Sequence, residues 1–71
     1  MQIYFYFNNS LKSINLPEHV QNISQFKNNI LRSYDFNYSK MKIYYIENHC
    51  AIIPNDETML NENIDYYLEV I

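Results

Sequence analysis

Two short stretches carry the residue types of catalysis and metal binding. His49 and Cys50 are adjacent, and Asp56, Glu57 and Glu62 lie a few residues further on. A thiol nucleophile needs a base held beside it. In a strand, however, neighbouring side chains point to opposite faces. His49 therefore does not serve Cys50, and a small buried cysteine is the expected role. The same pair is half of a metal site, and no second pair completes it. His19 and His49 both fall in turns and read as surface residues. The three carboxylates could do acid–base work only if they converged in a pocket. Their setting among Asn, Pro and Thr reads as a solvated loop. Glycine is absent from the sequence, which excludes a phosphate-cradling loop, and no serine has the spacing of a nucleophilic triad. The expectation is a chain without catalysis, cofactor or metal.

Charge and composition narrow the partners. The formal net charge is -3, and the basic residues Lys12, Lys27, Arg32, Lys40 and Lys42 are spread along the chain. Nucleic-acid binders concentrate positive charge on one face, and aromatic rings without that charge do not make a stacking platform for bases. Neither a basic leader with an apolar core nor an apolar run of eighteen residues is present, so neither export nor a membrane span is expected. The single cysteine suits a reducing compartment, cytoplasmic or nuclear.

These residues are positioned by few elements, because 71 residues make one domain. A chain of this size buries roughly 60% of the surface its unfolded form exposes. With 48% of residues apolar, one sheet roofed by one helix is about the limit. "QIYFYF" predicts a first strand. Ile3, Phe5 and Phe7 turn inward, since a tyrosine hydroxyl wants water or a partner. "NNS" at 8–10 predicts a turn made by Asn, the residue after glycine that best tolerates positive φ. "LKSINL" predicts a second strand with Ile14 and Leu16 on one face and Ser13 and Asn15 on the other, stopped by Pro17. Asn22 and Gln25 have the spacing of a capping box. Ile23, Phe26, Ile30 and Leu31 recur at helical spacing behind them, with Tyr34 extending the face. Phe36 and Tyr38 are placed in a loop tucked against the helix end. "MKIYYI" at 41–46, "CAII" at 50–53 and "DYYLEVI" at the end predict three further strands, with a turn over 47–49. Met59, Leu60 and Ile64 are placed in a corner of the core. On the last strand Leu68 and Val70 face the core, with Tyr67, Glu69 and Ile71 on the other side. The simplest closure lays the last strand beside the first, parallel to it. That is an α+β chain of β-grasp type: a mixed four- to five-stranded sheet with one helix packed across one face.

Particular residues also resemble the ubiquitin-like family. The chain opens "MQI", its helix reads "IxxFKxxI" over 23–30, "KIYY" stands at 42–45 and "LEV" at 68–70. The likeness runs through nearly the whole chain, with length changes near Ser10 and over 47–67, and most of it is carried by core positions. It implies a β-grasp domain spanning 1–71 that binds other proteins. Conjugated relatives end in a Gly-Gly tail, which this glycine-free sequence does not contain. The resemblance therefore implies a ubiquitin-like domain used in place, with excision from a larger protein left open. The family's favoured binding patch maps onto Tyr44 (an exposed aliphatic), Glu69 (a histidine) and Ile71 (a valine). The carboxylate in place of histidine implies a private partner.

Together, register and resemblance nominate the uncovered face of the sheet as a protein-binding site. Tyr4 and Tyr6 lie on the first strand, Lys42 and Tyr44 on the third, Glu69 and Ile71 on the last. Tyr44 is the expected anchor, Tyr6 and Ile71 extend the apolar contact, and Lys42 and Glu69 orient it by charge. The alternative is that tyrosine is there because it suits strands. A second functional reading is a structural domain that self-associates, a homodimer included. A variant of it is head-to-tail pairing as in PB1 domains, which share this fold and whose acidic segment "YYIENHCAIIPNDETML" resembles in spacing.

Overall fold

The computed structural model describes residues 1–33 and 41–70, with the side chain of Val70 excepted. The expectations for Tyr34, Phe36, Tyr38, Ile71 and the Val70 side chain lie outside the described residues. The elements run β1 (Gln2–Phe7), β2 (Ser10–Asn15), α1 (Ile23–Ser33), β3 (Met41–Glu47), β4 (Cys50–Ile52) and β5 (Tyr66–Val70). The strands form one five-stranded sheet in the order β2-β1-β5-β3-β4. The chain is α+β, with the β-grasp arrangement: β5 lies parallel to β1, and every other pairing is antiparallel.

Two tight hairpins are turned without glycine. Asn8 (φ 51°) and Asn9 (φ 64°) join β1 to β2, and Asn48 (φ 52°) and His49 (φ 66°) join β3 to β4. Positive φ at both central residues matches the right-handed twist of the flanking strands, and Asn and His enter that region more readily than most residues. The β1–β2 ladder runs on past the strand ends. The Leu16 N–H donates to the Met1 carbonyl at 2.8 Å, and the Met1 ammonium donates to the Leu16 carbonyl at 3.1 Å.

The start of α1 is closed on every side. Gln25 N–H donates to Asn22 Oδ1 at 2.9 Å, and Asn22 N–H donates back to Gln25 Oε1 at 3.2 Å. The predicted capping box is therefore formed. Ile23 and Ser24 N–H donate to the Thr58 and Asp56 carbonyls, each at 3.0 Å. The 54–60 loop thus satisfies helix donors that would otherwise need water or a ligand. Lys27 Nζ reaches Asp56 Oδ1 at 3.1 Å and ties the same loop to the first turns.

The core lies between α1 and one face of the sheet. Ile3, Phe5, Ile23, Phe26 and Ile30 are fully buried, joined by Ile14, Leu16, Val20, Ile43, Leu60, Tyr66 and Leu68. Phe26 meets Phe5 edge-on at 6.1 Å and 73°. It also meets Tyr66 at 5.8 Å, and Tyr66 packs edge-on to Tyr45 at 6.2 Å. Phe7, Tyr45 and Ile64 are partly buried against this cluster.

Two expectations need correction, and one core residue was missed. Cys50 is exposed, because β4 is the outer strand and its partner there, Glu47, is exposed too, leaving that corner uncovered. Met59 is 61% exposed. It pairs its backbone with Asn22, and in an extended segment that turns Leu60 inward, Met59 must point out. Tyr66, given no role in the core, is one of its largest members, and its hydroxyl accepts the Asn61 N–H at 3.0 Å.

Candidate functional site: the open face of the sheet

Since α1 covers one face, the alternation of strand side chains commits a second set of residues to the other. Register then decides which of them meet. Tyr6 stands opposite Leu11 on β2 and Tyr67 on β5, and Tyr67 stands opposite Tyr44 on β3. One row therefore crosses four strands: Leu11, Tyr6, Tyr67, Tyr44.

The three tyrosines form a stack. Tyr6 and Tyr67 have ring centroids 5.0 Å apart and planes 17° from parallel. Tyr67 and Tyr44 are 5.2 Å apart and 13° from parallel. These distances are close to the spacing of adjacent strands. The rings thus turn their planes to one another and hold three central strands together, each pair contributing about 0.5–1.5 kcal/mol beyond burial. All three are half-buried. Leu11 at the end of the row is 56% exposed.

Charge sits on one side of this row. Lys42 and Glu69 are paired in register. Tyr44 O–H donates to Glu69 Oε1 at 3.2 Å, while Lys42 Nζ lies 5.6 Å from the centre of the Tyr44 ring. Cation and carboxylate are thus both held by the same phenol. Its pKa is raised, first by desolvation, then by the hydrogen bond to Glu69, and then by the charges of Glu69 and Tyr67. Between the stack and the β1–β2 turn lies an open depression of about 390 Å³, lined by Tyr6, Asn8, Asn9, Tyr44, Tyr67, Leu68 and Glu69. Tyr4, 39% exposed and opposite Ser13, belongs to the same face on the far side of the row.

The structure therefore brings Tyr6, Lys42, Tyr44 and Glu69 together and places Tyr4 beside them; Ile71 is outside the described residues. Tyr44 does not stand at the centre. That position belongs to Tyr67, which the alternation of "DYYLEVI" put on this face without a role. Leu11 was also missed, although two-residue periodicity from Ser13 leads back to it. No sequence signal gives the stacking itself, which depends on the stagger of β5 between β1 and β3.

The other chemistry-bearing residues do not assemble. No group of three or more His, Cys, Asp or Glu able to hold a metal occurs among the described residues. Asp56 is paired with Lys27, and Glu57 and Glu62 are exposed on its loop. His19, His49 and Cys50 are exposed as well. Among the described residues no helix is long and apolar enough to cross a membrane. In the comparisons with known proteins, no family model, no curated protein and no solved structure matches the chain.

Proposed function

We propose that this chain is a non-catalytic, ubiquitin-like interaction domain that binds a partner protein through the open face of its sheet. One observation carries the reading: the face opposite the helix holds a rigid row of tyrosines that ends in an exposed leucine. Stacking fixes the rings before any partner arrives, so little side-chain freedom remains to be lost on binding. Tyrosine presents a large apolar body with a polar tip, the type enriched where interfaces concentrate their energy. Lys42 and Glu69 supply a rim of both signs, which suits orientation of a partner more than raw affinity. The exposed free thiol of Cys50 supports a reducing compartment, cytoplasm or nucleus.

The test uses variants on the exposed side of the face, which spare the core. Leu11→Ser and Tyr4→Ser are expected to fold normally and to lose a partner that the unaltered chain retains. Asn28→Ser, on the exposed side of α1, is expected to retain it. Equal retention by all of them would remove the assignment. A dilution series decides the second reading, in which the same face meets another copy. A dimer that Leu11→Ser dissociates would make the domain an assembly element. PB1-like pairing would instead draw on the 56–62 carboxylates, of which Asp56 already holds Lys27.

A further inference from the structure

The two edges of the sheet differ in chemistry. β2 and β4 stand at the ends of the strand order. An outer strand offers backbone donors and acceptors to any extended chain, and proteins guard such edges with charge, inward-pointing lysines included. β2 has that guard: Lys12 lies mid-strand with the parity of the buried Ile14. β4 has none. Cys50, Ala51 and Ile52 carry no charge, nor does Ile53 after them. The hairpin also fixes what this edge presents. Glu47 and Cys50 flank the two-residue turn, so they form the pair that exchanges both backbone bonds. Ile46 and Ala51 come next, a pair whose members do not bond each other. The N–H and carbonyl of Ala51 therefore point away from β3, off the edge of the sheet. Ala51, Cys50 and Ile46 are exposed, and Ile53 is 62% exposed.

We propose that β4 pairs with β4 of a second copy of this chain, antiparallel and centred on Ala51, joining the two sheets edge to edge. Self-complementarity selects the occupant. A twofold contact needs one residue that can meet itself, and Ala51 presents a donor and an acceptor together behind a side chain too small to obstruct. In this register Ala51 exchanges both backbone bonds with the second copy's Ala51, and Cys50 lies opposite the second copy's Ile52. The net charge of -3 on each copy does not oppose the contact locally. The nearest carboxylate, Glu47, lies on β3, three strand spacings or about 14 Å from the second copy's β3, beyond the screening length of about 8 Å at physiological salt. The ladder is short, because His49 belongs to the turn and Pro54 has no N–H to donate; the dimer is therefore weak and reversible. Its twofold axis stands perpendicular to the sheet, so both open faces stay uncovered on the same side. The contact is separate from the open face and holds whether or not that face binds a partner.

The test follows sedimentation of the chain over a concentration series. The unaltered chain is expected to move from monomer toward dimer as concentration rises. Ala51→Pro removes the outward N–H and no bond to β3, and Ala51→Lys sets like charges across the axis. Both are expected to stay monomeric, while Leu11→Ser dimerises as the unaltered chain does. Register is read by thiol exchange in a glutathione buffer, with the unaltered chain mixed equally with a Cys50→Ser, Ile52→Cys double variant. Cys50 and the thiol introduced at position 52 of the other copy then form a non-hydrogen-bonded pair with Cα atoms about 4.5 Å apart, within disulfide reach. Two Cys50 residues would stand about 8 Å apart, out of reach. The mixed disulfide is expected to exceed the statistical share of about half by a wide margin. A statistical distribution would overturn the register even if the position 51 variants failed to fold. A monomer at every concentration would overturn the dimer. A dimer lost in Leu11→Ser and kept in Ala51→Pro would move the contact to the open face. Species larger than a dimer would replace the twofold contact with head-to-tail pairing of β4 on β2.

Discussion

Two dipeptides, Tyr44-Tyr45 and Tyr66-Tyr67, show how a single residue type serves both sides of one sheet. Alternation sends Tyr45 and Tyr66 toward the helix and Tyr44 and Tyr67 away from it. The hydroxyls then meet different fates. Tyr66 is buried, and desolvation raises its pKa. The Asn61 N–H opposes that shift, and the charge of Tyr45 adds to it. Tyr44 is also raised, by desolvation first and then by Glu69. Both folded values lie above the ordinary tyrosine value, so the fold prefers both phenols neutral. That preference is fully present below the unfolded value of about 10 and is lost as pH rises through the folded values. Stability is therefore expected to decline in the alkaline range above about pH 10. An absorbance titration at the phenolate band checks this: Tyr44→Phe and Tyr66→Phe should each remove one late-ionising phenol. Unaltered late titration in both variants would contradict the assignment.

At the scale of elements, most of the layout was legible because local chemistry and tertiary demand agree. Asn22 and Gln25 announce the helix start, Pro17 follows β2, and asparagines occupy three of the four positive-φ positions. Ile14 and Leu16 were assignable to the core from two-residue alternation, and Ile3 and Phe5 from alternation together with the polar tip of tyrosine. What failed is what alternation cannot reach. Cys50 has the right parity for burial and stays exposed, because parity does not tell how far the helix extends over an outer strand. Tyr66 shares the parity of Leu68 but was given no role, and its hydroxyl finds the Asn61 N–H in the interior. The outer row was partly legible: the face of Tyr6, Tyr44 and Tyr67 follows from periodicity, but their meeting depends on stagger, which no local pattern encodes. The fourth positive-φ position is the one whose residue fits least well. His49 at φ 66° occupies a conformation that costs most residues about 1–2 kcal/mol. His49→Gly is expected to relieve part of that cost, offset by about 0.5–1 kcal/mol of added unfolded-chain entropy. A small rise in the denaturation midpoint should result. His49→Val, β-branched at positive φ, should lower it clearly. Chemical denaturation of the pair measures both signs, and a stabilising valine would refute the turn geometry.

At the scale of the whole molecule, one helix and one sheet among the described residues share a core, and the sheet carries packed side chains on both of its faces. Stability at about 0.05–0.15 kcal/mol per residue gives a domain of this length roughly 4–11 kcal/mol in all. The two faces draw on that margin unequally. Phe26 is fully buried and joins the helix to Phe5 and Tyr66, so Phe26→Ala should cost about 3–5 kcal/mol. That is enough to leave a large unfolded fraction. Tyr67→Ala removes two stacking contacts on the outer face, at about 1–3 kcal/mol, and leaves the core residues in place. Tyr6→Ala removes only its contact with Tyr67, and the cost should be about half. Denaturation midpoints should therefore fall in the order unaltered chain, Tyr6→Ala, Tyr67→Ala, Phe26→Ala. If Tyr67→Ala proved no more harmful than Tyr6→Ala, the tyrosines would not act as a continuous stack, and the rigidity on which the proposed binding role depends would be absent.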